Sequence, residues 1–254
     1  MMTWLMIAAA NILVGAMVGL CGVAGFLLPM FYTSVLRMNV SEGLALSFAA
    51  FIVSGILGSV NYNKDGNLDI KFGLKLSLGS IIGAVIGVKL NMIIPEEQAK
   101  LLLYMVVLLS GISILVRKDK ANNEGTRRRS FKISEHFLLT VIIGITTGAV
   151  CSMSGAGGPV LVMPLLVVMG IEVRTAVGVA LLNSVFIGIP AAAGYLGQTD
   201  IALIIPILIL ALVTHGIGVY FGSKNASKIN QKLLKQGIAV FSIAIASCKL
   251  LGIF

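Results

Sequence analysis

Charge is what this sequence has least of. Of its 254 residues only 11% are charged and 57% are hydrophobic, against roughly 25% charged in ordinary soluble domains. A soluble fold of this length could not hide so much apolar surface, so bilayer hydrocarbon must be the solvent for most of the chain. Acid is scarcer still. The ten carboxylates (Glu42, Asp65, Asp69, Glu96, Glu97, Asp119, Glu124, Glu135, Glu172 and Asp200) all fall at the ends of apolar runs or between them. With none at mid-span, the usual relay for a cation or proton is lacking, which tilts a carried substrate towards an anion. Cys21, Cys151 and Cys248 stand at unrelated spacings, giving neither a disulfide framework nor a metal site. They read as small buried hydrophobes. Two histidines and three dispersed cysteines supply no nucleophile–base pair and no metal cluster, which argues against a membrane enzyme. No catalytic residue, metal or cofactor is expected. A secretory leader would need a basic n-region, and no Lys or Arg precedes the first apolar run despite Ala8-Ala9-Ala10. That run reads as a retained membrane segment.

What is present in abundance is apolar sequence broken by glycine. Hydrophobic runs fall at about 3–20, 24–36, 42–62, 72–94 and 98–116, and again at about 134–152, 159–171, 176–197, 201–222 and 233–253. Eight approach the ~20 residues needed to span. The runs 24–36 and 159–171 are too short to cross alone, and each follows a glycine-rich break. Five of the six prolines (Pro29, Pro159, Pro164, Pro190 and Pro206) also lie inside apolar runs, as membrane helices that pack closely or break deliberately permit. The net charge of +9 is concentrated rather than spread, with seven of 19 basic residues between Arg117 and Lys132. That is a cytoplasmic loop setting orientation and not a nucleic-acid surface.

The two sides of this basic loop repeat each other. The stretch from Gly15 overlays that from Gly148 at an offset of 133, pairing Gly15 with Gly148, Gly22 with Gly155 and Gly25 with Gly158. Further on the offset becomes 131, pairing Asp69 with Asp200 and Gly87 with Gly218. The expected organisation is a membrane repeat over 1–116, a basic cytoplasmic linker over 117–133 and a second membrane repeat over 134–254. If each half holds a hairpin-like broken pair plus three crossings, the halves are inverted and fifteen basic residues lie inside against four outside. Four crossings per half would make them parallel, with eleven inside and eight outside. The positive-inside bias favours inversion, with both termini outside. The fold class expected is therefore an all-α polytopic membrane protein of 8–10 transmembrane segments in two inverted repeats, placed in a bacterial plasma membrane.

The stretch Ser152 to Pro164 carries the chemistry. Three glycines, two serines and two prolines stand there where a membrane helix should run unbroken. A broken helix in lipid leaves backbone N–H and C=O groups unpaired, tolerable only where they face a cavity, water or a ligand. Gly155, Gly157 and Gly158 allow a ligand close to the backbone. Pro159 suits the first turn of the helix that follows. The N–H groups at that start favour an anion, and the hydroxyls of Ser152 and Ser154 offer further hydrogen bonds. Gly22 and Gly25 repeat the break in the other half. Two half-helix pairs meeting at mid-membrane is an arrangement in which transporters hold substrate. Close helix packing alone would also use such small residues.

These residues resemble a known family. A glycine-rich break (Gly155-Ala156-Gly157-Gly158), a short apolar helix with proline, a helix start Ala176-Val177-Gly178 and a Gly-x-x-Asp turn after the next helix are similar to the sulfite exporter TauE/SafE family. The likeness covers nearly the whole chain, although the first break reads Gly22-Val23-Ala24-Gly25-Phe26 where the family has a fuller glycine cluster. The resemblance implies a secondary transporter for sulfite-like oxyanions or organosulfonates.

Among the remaining polar residues, Asn183 and Ser184 fall mid-run at about the depth of the break and suit either substrate contact or a helix–helix hydrogen bond. His215, inside an apolar run, is either a packing residue or a proton-coupling group. Arg37, Glu42, Glu172 and Arg174 flank turns and read as interfacial, as does Trp4. The expected partners are a small anionic substrate, the lipid bilayer and, through His215, protons. Nucleic acid is not expected, and a homo-oligomer is left open. An anion channel is the alternative to a carrier, and a membrane enzyme the more distant one.

Overall fold

A computed structural model describes residues 2–22, 24–95, 136–169 and 171–226 continuously, with individual positions between 97 and 116 and between 228 and 252. The linker 117–133 lies outside the described residues, and the expected spans 98–116 and 233–253 are described only at scattered positions. The described residues are helical, with no strand among them. Six helices are long and apolar enough to cross a bilayer. They are α1 (Met2–Cys21), α3 (Val40–Lys64), α4 (Ile70–Ile93), α5 (Phe137–Ser154), α7 (Val173–Leu196) and α8 (Ile201–Lys224). Two short apolar helices, α2 (Ala24–Val35) and α6 (Gly158–Val168), sit where runs too short to span were expected. The first is irregular, opening with a 3₁₀ turn (Ala24–Phe26) and closing as a π-helix (Phe31–Val35).

The scarce polar residues at segment ends set the helix boundaries. Asn39 caps α3, accepting from the Glu42 N–H at 2.9 Å while the Glu42 carboxylate accepts from the Asn39 N–H at 3.2 Å. This reciprocal box satisfies two otherwise orphaned donors. Asp69 accepts from the Phe72 N–H at 3.0 Å to start α4. Asp200 accepts from the Ala202 N–H at 3.1 Å to start α8. Glu42, expected as an interfacial residue, thus joins Asp69 and Asp200 in closing helix ends.

Leu74, Leu78, Ile82, Ile86 and Leu90 of α4 are exposed at four-residue spacing, which keeps one face of the helix towards lipid. The opposite stripe is glycine. A methyl on Gly79 would meet the Val141 carbonyl, and one on Gly83 the Ile145 carbonyl. In lipid no hydrophobic effect draws helices together, so small residues that let backbones touch supply the attraction. The order 79–141 and 83–145 makes α4 and α5 run parallel. The seam between α1 and α8 repeats it, because Gly218 faces the Ile12 carbonyl and Gly222 the Ala16 carbonyl, again in parallel. Between them α3 and α7 cross antiparallel, Gly188 lying on Phe48 and Gly58 on Leu181. Each seam joins a helix before the linker to one after it.

The helix starts Ile70 and Ile201 keep the overlay's offset of 131, while the seam contacts run one turn apart from it. Gly218 contacts Ile12 and Ala16 as Gly83 contacts Ile145 and Ala149, one turn from Gly87, with which the overlay pairs it. Glycines at four-residue spacing make such an overlay degenerate by one helical turn.

Candidate functional site

Each break is a helix end followed at once by a new start. Gly155 ends α5 in the left-handed region (φ 73°), and Gly157 precedes α6 at φ 72° and ψ 156°, a combination available essentially to glycine alone. Gly22 ends α1 at φ 72°. No side chain caps the start of α6, although Ala156 to Val160 are all buried. A buried, uncapped helix start presents N–H groups to whatever occupies the space beside it.

The structure brings the two breaks together. A methyl on Gly22 would lie 3.1 Å from Val177 and 3.4 Å from Pro159. Gly155 in turn faces Leu44 and Pro29. Each break is thus covered by a span of the other half, Leu44 and Val177 occupying matching positions. Between the breaks stands Phe51, whose ring lies 3.1 Å from the methyl position of Gly25 and 3.0 Å from that of Gly157. Its neighbour Phe48 stacks on Tyr195 at 5.9 Å. The Tyr195 hydroxyl donates to the Ser152 carbonyl at 2.8 Å. Sequence reasoning missed Phe51, Leu44 and Tyr195, since nothing in the pattern distinguishes them from other span residues.

The expected polar residues divide. Ser184 packs on Gly158, its Cβ 3.1 Å from where a methyl would be. Asn183 is fully buried, its Oδ1 accepting from the Ser77 hydroxyl at 3.1 Å and its Nδ2 left without an acceptor. Either orientation of that carboxamide leaves one polar atom unpaired. Ser154 donates to the Val150 carbonyl at 2.7 Å and Ser152 to the Ala149 carbonyl at 3.1 Å, both turning back onto their own helix, and Ser154 Oγ also accepts from the Ala156 N–H at 3.4 Å. His215 stands apart from the breaks, in the α1–α8 seam beside Gly15. No group of three His, Cys, Asp or Glu able to hold a metal occurs among the described residues.

A cavity of about 300 Å³ opens at one end of the bundle, walled by Asn39, Ser41, Asn91 and Gln198 among others. From its wall the Asn91 amide donates to the Met153 carbonyl at 2.7 Å, two residues before Gly155.

Membrane-length helices packed around two interrupted helices that meet in the interior define a multi-pass membrane transporter. The chain belongs to the sulfite exporter TauE/SafE family, whose model matches residues 3–248. It is similar to the "Probable membrane transporter protein YdhB" of Bacillus subtilis (strain 168), 26% identical over 92% of this chain and 95% of that protein. It is also similar to a "Probable membrane transporter protein" of Haemophilus influenzae (strain ATCC 51907 / DSM 11121 / KW20 / Rd), at 24% identity over 92% of this chain and 93% of the relative. Its relatives are named as transporters and not as enzymes. No solved structure matches the chain.

Proposed function

We propose that this transporter carries a small sulfur oxyanion or organosulfonate, sulfite-like in size and charge, by alternating access across a bacterial plasma membrane. The supporting observation is the buried, uncapped start of α6 at Gly157 and Gly158, placed against the first break at Gly22 and Gly25. Helix-start N–H groups and the positive end of the helix dipole suit an anion without any fixed cation. Gly22, Gly25, Gly155, Gly157 and Gly158 shape the site, Asn183 and Ser184 border it from α7, and Ser152 and Ser154 enter it by turning their hydroxyls from the helix. The repeats 1–116 and 134–254 are inverted halves. This reading is supported by the antiparallel crossing of α3 with its counterpart α7 and by the two matching parallel seams. His215 supplies proton coupling.

A thermal-shift screen of the purified protein tests the substrate, using sulfite, sulfate, thiosulfate, sulfoacetate and short carboxylates. A bound ligand stabilises in proportion to occupancy. Stabilisation by sulfite or a sulfonate, with saturable counterflow in proteoliposomes, is expected. Stabilisation by carboxylates alone would remove the sulfur assignment, and flux that never saturates would replace the carrier with a channel.

A further inference from the structure

The seam between α1 and α8 holds polar atoms that its packing does not account for. His215 is 0% exposed, and neither ring nitrogen has a hydrogen-bond partner. Facing it across the seam, Asn11 is also 0% exposed, and its Oδ1 has no donor. The two belong to one locus: a methyl on Gly15, one turn beyond Asn11, would lie 3.2 Å from His215 Nδ1, and the imidazole faces the Asn11 backbone. The orientation of Asn11 is fixed. Its Nδ2 donates to the Ile7 carbonyl at 2.9 Å and to the Tyr32 hydroxyl at 2.8 Å. Because the Ile7 carbonyl can only accept, the amide cannot be turned the other way, and Oδ1 is the atom left without a partner.

A neutral imidazole carries one N–H and one lone pair, so burial leaves a donor and an acceptor to satisfy. Buried polar atoms are almost always paired, and water is the usual partner where protein is not. The matching seam makes the contrast. There Ser80 stands where His215 stands, Gly148 facing the Ser80 carbonyl as Gly15 faces that of His215. Its hydroxyl donates to the Gly144 carbonyl at 3.2 Å, and Gly144 is the counterpart of Asn11. One seam thus closes on a hydroxyl alone. The other replaces it with imidazole, carboxamide and phenol.

We propose that Asn11 and Tyr32 are positioning residues for His215, holding a buried water between Asn11 Oδ1 and the imidazole so that the ring can take up and release a proton. This rests on the coupling role of His215 proposed above. Tyr32 fixes the carboxamide and Asn11 fixes the water, while the Asn11 backbone carbonyl and the water accept from the two N–H groups of the charged ring. One proton passes from solvent to a ring nitrogen and later returns to solvent, and no other bond changes. Among the described residues of the helices around it, no other charge competes at this locus. α1 and α2 contain no charged residue, and those of α3 and α8 lie at their ends, at Glu42, Lys64 and Lys224. The other titratable groups on these helices are Cys21, whose thiol donates to Met17, Tyr62, whose hydroxyl reaches the carbonyls of Gly19 and Leu20, and Tyr220, which is exposed.

Two measurements on the full chain test this. With ¹⁵N-histidine label, the protein has only His136 and His215 to assign, and a His136→Gln variant isolates the second. Hydrogen-bonded shifts are expected at both ring nitrogens in the otherwise unaltered seam, one held by the Asn11 carbonyl and one by the water, and an unbonded shift at either would overturn the water. Sulfite flux into proteoliposomes is then compared with and without a pH gradient. Asn11→Leu and Tyr32→Phe should each reduce stimulation by the gradient severalfold, and Asn11→Asp should move its midpoint to higher pH by placing a carboxylate beside the ring. If His215→Ala abolishes stimulation while Asn11→Leu and Tyr32→Phe leave it at the wild-type level, the positioning role is wrong and the coupling role stands. If His215→Ala itself responds as wild type, both fail.

Discussion

Replacing Gly157 by alanine separates backbone geometry from the ligand more cleanly than any other change at the breaks. At φ 72° and ψ 156° the residue occupies a region that alanine enters at a cost of about 1–3 kcal/mol. The added methyl also falls 3.0 Å from Phe51 Cε2 and 3.2 Å from Cδ2, inside the usual 3.5–4.0 Å contact range. The conformational term alone predicts a loss of folded-to-unfolded ratio between about fivefold and about 140-fold. Gly158→Ala is the comparator, since its methyl meets the Ser184 backbone at 3.1 Å but no left-handed angle is involved. A second comparator, Gly157→Ala with Phe51→Leu, removes the ring contact and leaves the backbone term. Heating in detergent with a thiol-reactive fluorophore reads the fold, because Cys21 and Cys151 are buried until it opens. Sulfite flux per folded protein reads the site. Gly157→Ala should lower the midpoint more than Gly158→Ala, keep a deficit in the double variant, and lose flux beyond what folded yield explains. A wild-type midpoint with wild-type flux would refute the reasoning, showing that the break tolerates an ordinary residue and presents nothing to a ligand.

Four further outcomes follow from the packing. Gly83→Leu drives a side chain into the Ile145 carbonyl and should abolish folded yield, while Ile82→Leu on the lipid face should match wild type; equal yields would remove the glycine seam as a driving contact. Tyr195→Phe deletes the bond to Ser152 and should cost about 0.5–1.5 kcal/mol of stability, an unchanged melting midpoint counting against it. Asn183→Leu removes the buried amide while keeping its volume, and is expected to weaken sulfite binding in isothermal titration at least tenfold; equal affinity would assign Asn183 to helix packing through Ser77. His215→Ala should flatten the pH profile of flux between pH 5 and 8, and a profile matching wild type would return it to a packing role.

Much of the architecture is legible because the bilayer asks a simple question of each segment. Runs expected at 72–94 and 176–197 appear as Ile70–Ile93 and Val173–Leu196, since apolar length and polar ends are both visible in one dimension. The breaks were visible too, because three glycines and a proline in hydrocarbon have few explanations. What stayed hidden depends on which faces meet. Phe51 looks like any aromatic in a span until Gly25 and Gly157 are brought to either side of its ring. Asn11 reads as an isolated polar residue near the beginning of the chain, and only the parallel seam sets His215 opposite it. The one-turn offset between the glycine overlay and the seam contacts has the same root: a four-residue repeat specifies a face and leaves the register to the partner.

The two parallel glycine seams bear on biosynthesis. α1 reaches its partner only when α8 has been made, and α4 only when α5 has followed the linker. A ribosome that has finished α4 has therefore released helices whose closest contacts do not yet exist, with bare backbone along α1 facing lipid or a chaperone. Folding of this chain is an act of interleaving rather than of one half and then the other. Two separately expressed halves should each be degraded alone and accumulate only when produced together.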